Sequence, residues 1–192
     1  MLALEFPGCR ILVDALDEAV NKDSTADITD ALRSTLCSLI QQQDVMLPEC
    51  VFQSNAEHYA RRELYRSERY GYCVTAMTWG PGQGTKIHDH HGMWCVEGVW
   101  RGALDITQYQ LLEQDDSRYR FNPAGSIQAG PGSAGSLIPP HEYHCIRNPS
   151  DDAIAVSLHI YSAPMTQCAV FDPIEGQWYR RDERTLALDQ LH

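Results

Sequence analysis

The sequence predicts a mainly β protein, a sandwich or barrel preceded by a helical segment, on three observations. Apolar residues recur at helical spacing only near the N-terminus; beyond Arg62 the chain breaks into short Thr-, Val- and Tyr-rich runs; and glycine and proline clusters separate those runs. With 192 residues, 43% of them hydrophobic, the chain suits one domain with a substantial core. It has no internal repeat and no linker, so 1–192 reads as a single unit, with a helical preface over 1–60 and a β-barrel over 61–192.

In the preface, Ile11, Leu12, Ala15, Leu16 and Ala19 form one helical stripe, and Ile28, Ala31, Leu32, Leu36, Leu39 and Ile40 form a second. Between them Ser24, Thr25 and Asp27 are candidate N-caps, because a short oxygen-bearing side chain accepts from the free N–H groups of a first turn. Strands are expected near 70–79, 94–100, 103–112, 144–147 and 153–161. Gly80-Pro81-Gly82-Gln83-Gly84 and Gly130-Pro131-Gly132-Ser133-Ala134-Gly135 supply turns between them. The acidic stretch 113–116 reads as a solvated loop.

A formal charge of -11 disfavours nucleic acid or an anionic membrane as partner, since both require a basic footprint. The opening Met1-Leu2-Ala3-Leu4-Glu5-Phe6-Pro7 lacks a cationic stretch followed by an apolar one, and no apolar run is long enough to span a bilayer, so a cytoplasmic location is expected. Cysteines at Cys9, Cys37, Cys50, Cys73, Cys95, Cys145 and Cys168 include no Cys-x-x-Cys pair, which argues for reduced, buried thiols rather than a disulfide framework or structural zinc.

Chemistry concentrates in three windows. In Ile87-His88-Asp89-His90 the two histidines stand at i and i+2, a spacing that on a strand directs both to one face, where they can share a metal ion. The wider pattern runs Gly82-x5-His88-x-His90-x4-Cys95-x6-Gly102, and a second runs Pro139-x4-His144-x3-Asn148. The third window, Ser157-Leu158-His159-Ile160-Tyr161-Ser162, alternates so that Ser157, His159 and Tyr161 share one strand face while Leu158 and Ile160 share the other. Such alternation implies a polar cavity on one side and core packing on the other.

The first two windows resemble the paired motifs of the cupins, with Cys95 where the first motif usually has glutamate and His141 where the second usually has glycine. Together with Trp79-Gly80-x-Gly82 and the third window, the chain resembles the thiol dioxygenases, among them cysteine dioxygenase and 3-mercaptopropionate dioxygenase. The resemblance implies a jelly-roll cupin barrel. It implies His88, His90 and His144 as ligands of Fe(II), and Ser157, His159 and Tyr161 as a relay in which serine orients histidine and histidine orients tyrosine. Cys95 falls where some members carry a cysteine crosslinked to that tyrosine, so a Cys95–Tyr161 thioether is expected. Counting back from Trp79 without a gap makes Arg62 the arginine that grips the substrate carboxylate, with Arg61 the alternative if the register slips by one. The tyrosine that some members have two positions before that arginine is Ala60 in the first count, with Tyr59 beside it.

Three neutral imidazoles leave the charge of a divalent cation to be balanced by what binds, which favours anionic ligands such as thiolate, although imidazole suits iron, copper, nickel and zinc alike. The expected reaction joins a small carboxylate-bearing thiol, cysteine the leading candidate, with O₂ to give the sulfinic acid. The alternatives are 3-mercaptopropionate or mercaptosuccinate as substrate, a different metal-dependent cupin enzyme, or a ligand-sensing cupin. The last would ordinarily carry a basic recognition helix, which the preface lacks. His91 and His141 read as structural or surface residues, and His58 and His192 carry no signal.

Overall fold

The computed structural model describes residues 1–191; His192 lies outside them. Two helices lead, α1 (Cys9–Val20) and α2 (Thr25–Gln42), and Ser24 caps the second by accepting from the Asp27 N–H. Strands follow in the order β1 (Ala60–Arg66), β2 (Cys73–Trp79), β3 (Ile87–His88), β4 (Cys95–Arg101), β5 (Leu104–Asp115), β6 (Arg118–Ala129), β7 (Ala134–Leu137), β8 (His144–Arg147), β9 (Ala155–Tyr161), β10 (Gln167–Pro173) and β11 (Trp178–Thr185). No helix is long and apolar enough to cross a membrane. The expected mainly β jelly roll behind a helical preface is what the chain forms.

One sheet has the order β1-β2-β9-β4-β7, and the second returns on itself as β10-β11-β6-β5-β8-β3. All strand pairs are antiparallel, so successive residues alternate between two unlike faces of the first sheet. On the outer face Val74, Ala76, Val96, Val156, Leu158 and Ile160 pack with Leu12, Leu16, Leu32, Leu36 and Leu39 of the helices in one core. Gly98 admits α2 to this face: a Cβ there would sit 3.2 Å from Leu36 and 3.3 Å from Ile40. Burying those apolar faces gives about 25 cal/mol per Å² removed from water, which is why the preface is part of the fold rather than an appendage.

The inner face carries the chemistry. Register sets Cys73 and Cys95 opposite Tyr161, Thr75 and Glu97 opposite His159, and Met77 and Val99 opposite Ser157. The acidic stretch is not a loop. β5 continues through Asp115 because Glu113 faces Arg120 and Asp115 faces Arg118 across the hairpin, with salt bridges Arg118–Asp115 and Arg120–Glu113 offsetting the acidic run. Only Asp116, at φ 52°, makes the turn.

Candidate metal centre

His88 and His144 are direct cross-strand partners between β3 and β8, while His90 stands just past the end of β3. His90 is held there by its own N–H, which donates to the Glu142 carboxylate at 2.8 Å, and Asp89 accepts from the N–H groups of His91 and Ala169. One side-chain nitrogen of each histidine lies within 4.8 Å of the others. His88 Nδ1 faces the Lys86 carbonyl at 3.1 Å and His144 Nδ1 the Glu142 carbonyl at 3.0 Å. In both rings that contact fixes Nδ1–H and leaves the Nε2 lone pair free to face a shared centre.

His88 and His144 are held neutral by their surroundings. Burial, then His90, pushes His88 down to about 3, and burial followed by His88 and His90 holds His144 well below the usual imidazole range. His90 Nδ1, His144 Nε2 and Glu97 Oε2 are the buried side-chain polar atoms without a hydrogen-bond partner among the described residues. Orphaned buried nitrogens carry a desolvation cost that a cation would remove. The residues therefore fit a metal ion.

Beside this cluster, Trp79 Nε1–H donates to Ser157 Oγ at 2.9 Å, and Ser157 Oγ lies 2.8 Å from His159 Nε2. The indole can only donate, so the serine hydroxyl is free to give its proton to that imidazole nitrogen. The expected next link is not formed. His159 has no hydrogen bond to Tyr161 among the described residues, and the two rings stand 6.0 Å apart; its Nδ1 instead faces Glu97 Oε2 at 3.3 Å and Cys95 Sγ at 4.0 Å. Both nitrogens of His159 are engaged elsewhere, Nε2 by Ser157 and Nδ1 by Glu97, which is directly opposite on β4. Tyr161 packs 5.9 Å from His90 and lies across from Cys95. Burial, then Cys95, raises its hydroxyl well above the usual phenol range, so it stays protonated.

The arginine expectation needs correcting. Arg62 pairs with Ala76, on the face toward the helices, and its guanidinium donates to the Gln190 carbonyl and Thr78 Oγ1. Arg61 pairs with Met77 on the inner face, and its guanidinium donates to the Met165 and Ala187 carbonyls. Arg61, Tyr59, His88, His159, Tyr161 and Arg184 line one cavity of about 730 Å³, its open mouth included. Tyr59 stands two before Arg61 and stacks on Trp79 at 4.6 Å.

Two buried carboxylates were not anticipated. Glu142 carried no sequence signal. Glu97 did: two residues after Cys95 on a strand, it had to share that face.

Residues 17–174 match the family model described as cysteine dioxygenase type I. Cysteine dioxygenase type 1 of Danio rerio is 25% identical over 179 residues, covering 80% of this chain and 88% of that protein. Its Rattus norvegicus counterpart is 27% identical over 133 residues, covering 62% of each chain. Solved structures include TT1209 from Thermus thermophilus, 24% identical with a TM-score of 0.44 over 60% of this chain and 92% of that one. Another is a Klebsiella pneumoniae protein with a double-stranded β-helix domain, 13% identical with a TM-score of 0.45, covering 63% and 90%. By the extent of the family match, the chain belongs to the cysteine dioxygenase type I family of cupin-fold thiol dioxygenases.

Proposed function

We propose that this chain uses Fe(II), held by His88, His90 and His144, to oxidise a small carboxylate-bearing thiol with O₂ to its sulfinic acid. The observation that carries this reading is the three-histidine cluster, whose His88 lines a cavity walled by Arg61, His159 and Tyr161. A ferrous ion bound by three neutral nitrogens would supply open positions for a thiolate and dioxygen together.

The protein's part is orientation. The Arg61 guanidinium is fixed by two backbone carbonyls and has no acidic partner among the described residues, so its charge is available to a carboxylate. Holding the far end of the substrate there turns an encounter in solution into a positioned one. The Tyr161 hydroxyl, kept protonated by burial, donates a hydrogen bond toward the reacting sulfur and oxygen. The Trp79–Ser157–His159 chain stiffens the wall beside it.

Cysteine is the leading substrate, in keeping with the curated relatives, which are cysteine dioxygenases. One observation favours a second reading, 3-mercaptopropionate or mercaptosuccinate. The cavity wall carries Arg61, Lys86 and Arg184 and no Asp or Glu, so no carboxylate meets a substrate ammonium. Steady-state O₂ uptake by iron-loaded protein against cysteine, 3-mercaptopropionate and mercaptosuccinate decides between them. The highest kcat/KM for cysteine supports the first reading, and the highest for a thiol without an amine supports the second. No uptake with any of them removes both.

A further inference from the structure

The first-motif position that resembles a metal-binding glutamate holds Cys95, yet two residues further along the strand Glu97 sets a carboxylate against His144 and His159. Glu97 is 6% exposed, and its Oε2 has no hydrogen-bond partner among the described residues. That oxygen lies 3.7 Å from His144 Nε2, which is itself orphaned and aimed away from the carbonyl that holds Nδ1. His90 Nδ1, 3.4 Å from the Glu142 carboxylate, is the third such atom, and Glu97 clusters with Cys95 and His159 beside the histidine triad. Glu97 Oε2 also lies 3.3 Å from His159 Nδ1, so a cation beside His144 Nε2 would be bordered by a carboxylate held between two imidazoles.

We propose that Glu97 is the anionic neighbour of the metal centre, acting from beside His144. Its carboxylate offsets part of the charge of the ion held by His88, His90 and His144, and it braces His159 from the side opposite Ser157. The inference rests on those three histidines binding a metal. It revises the view that the substrate alone must balance the ion's charge. Glu97 is a positioning residue: it sets the affinity and electrostatics of the centre and leaves the substrate carboxylate to Arg61.

Co(II) provides the test, because it reports binding through its visible absorption without turnover. Metal-free wild type, Glu97→Gln, Glu97→Leu and His144→Ala are each titrated with Co(II), and the thermal midpoint of each metal-free protein is recorded. Wild type should bind one equivalent, and both Glu97 variants should bind about 10- to 100-fold more weakly, the range typical of groups that support metal ligands. Their metal-free midpoints should equal or exceed that of wild type, since an unpaired buried carboxyl destabilises the metal-free fold. A merely structural Glu97 gives the reverse, a lower midpoint with unchanged affinity, and that result overturns the proposal while leaving the histidine site intact. Failure of wild type to bind Co(II) when His144→Ala behaves identically overturns both.

Discussion

Tyr161 owes its role to what surrounds it. Burial and the neighbouring Cys95 keep its hydroxyl protonated, and Cys73 and Cys95 flank it from both adjacent strands. Tyr161→Phe removes the donor and keeps the ring, so kcat should fall by at least about tenfold while bound iron stays at the wild-type level. Equal turnover would take the hydroxyl out of the reaction. A Cys95–Tyr161 thioether is the further expectation: the two residues are cross-strand partners, and the step would remove one hydrogen from sulfur and one from the ring carbon and pass two electrons to O₂. Intact-mass spectra after turnover should show a species lighter by two hydrogens in wild type and none in Cys95→Ala. Its absence from wild type ends that expectation.

Which residue faces the cavity is decided by strand parity and register. The sequence made the inner-face triplet legible, because Ser157, His159 and Tyr161 alternate with aliphatics. It also made Glu97 legible to period two, although the missing motif glutamate drew attention to Cys95 instead. Parity could not be read for Arg61 and Arg62, since an ungapped count carries no information about which face of β1 meets Met77. Strands β6 and β11 escaped for a related reason: their polar, partly exposed residues lack the apolar alternation that marks a half-buried strand. In kinetics the two arginines should separate. Arg61→Ala should raise KM about tenfold or more, roughly 1.4 kcal/mol, with iron binding intact, while Arg62→Ala should lower stability and spare KM. Equal KM effects would contradict the assignment of faces. On the outer face, Gly98→Val should destabilise by about 1–3 kcal/mol in denaturant unfolding, because the new side chain meets Leu36 and Ile40.

At the scale of the molecule, an acidic chain folds around a cavity with a cationic wall and a centre of neutral imidazoles. The neutral state of His88, His144 and His159 follows from burial. The folded pKa values of His88, His144 and His159 all lie below the unfolded value of about 6.5, so below that pH the unfolded chain binds more protons and stability falls as pH drops. Glu97 acts in the opposite sense. Burial raises it to about 8, so between its ordinary value of 4.5 and about 8 the folded chain binds more protons, and stability falls as pH rises. Three histidines outweigh one glutamate on the acid side. Metal-free protein should therefore be most stable near pH 6.5, and Glu97→Gln should flatten the alkaline limb up to about pH 8. Denaturant midpoints measured from pH 5 to 8 check this, and a wild-type midpoint that climbs steadily to pH 8 would contradict it.

The central proposal is that His88, His90 and His144 would hold an iron ion, at which a bound thiol would take up both atoms of one O₂. It is tested most directly by turnover of the iron-loaded protein under ¹⁸O₂, with product mass as the readout. A sulfinate carrying two heavy oxygens, formed by wild type and not by His144→Ala, is the expected result. A product bearing one heavy oxygen or none, or a disulfide in its place, would contradict it.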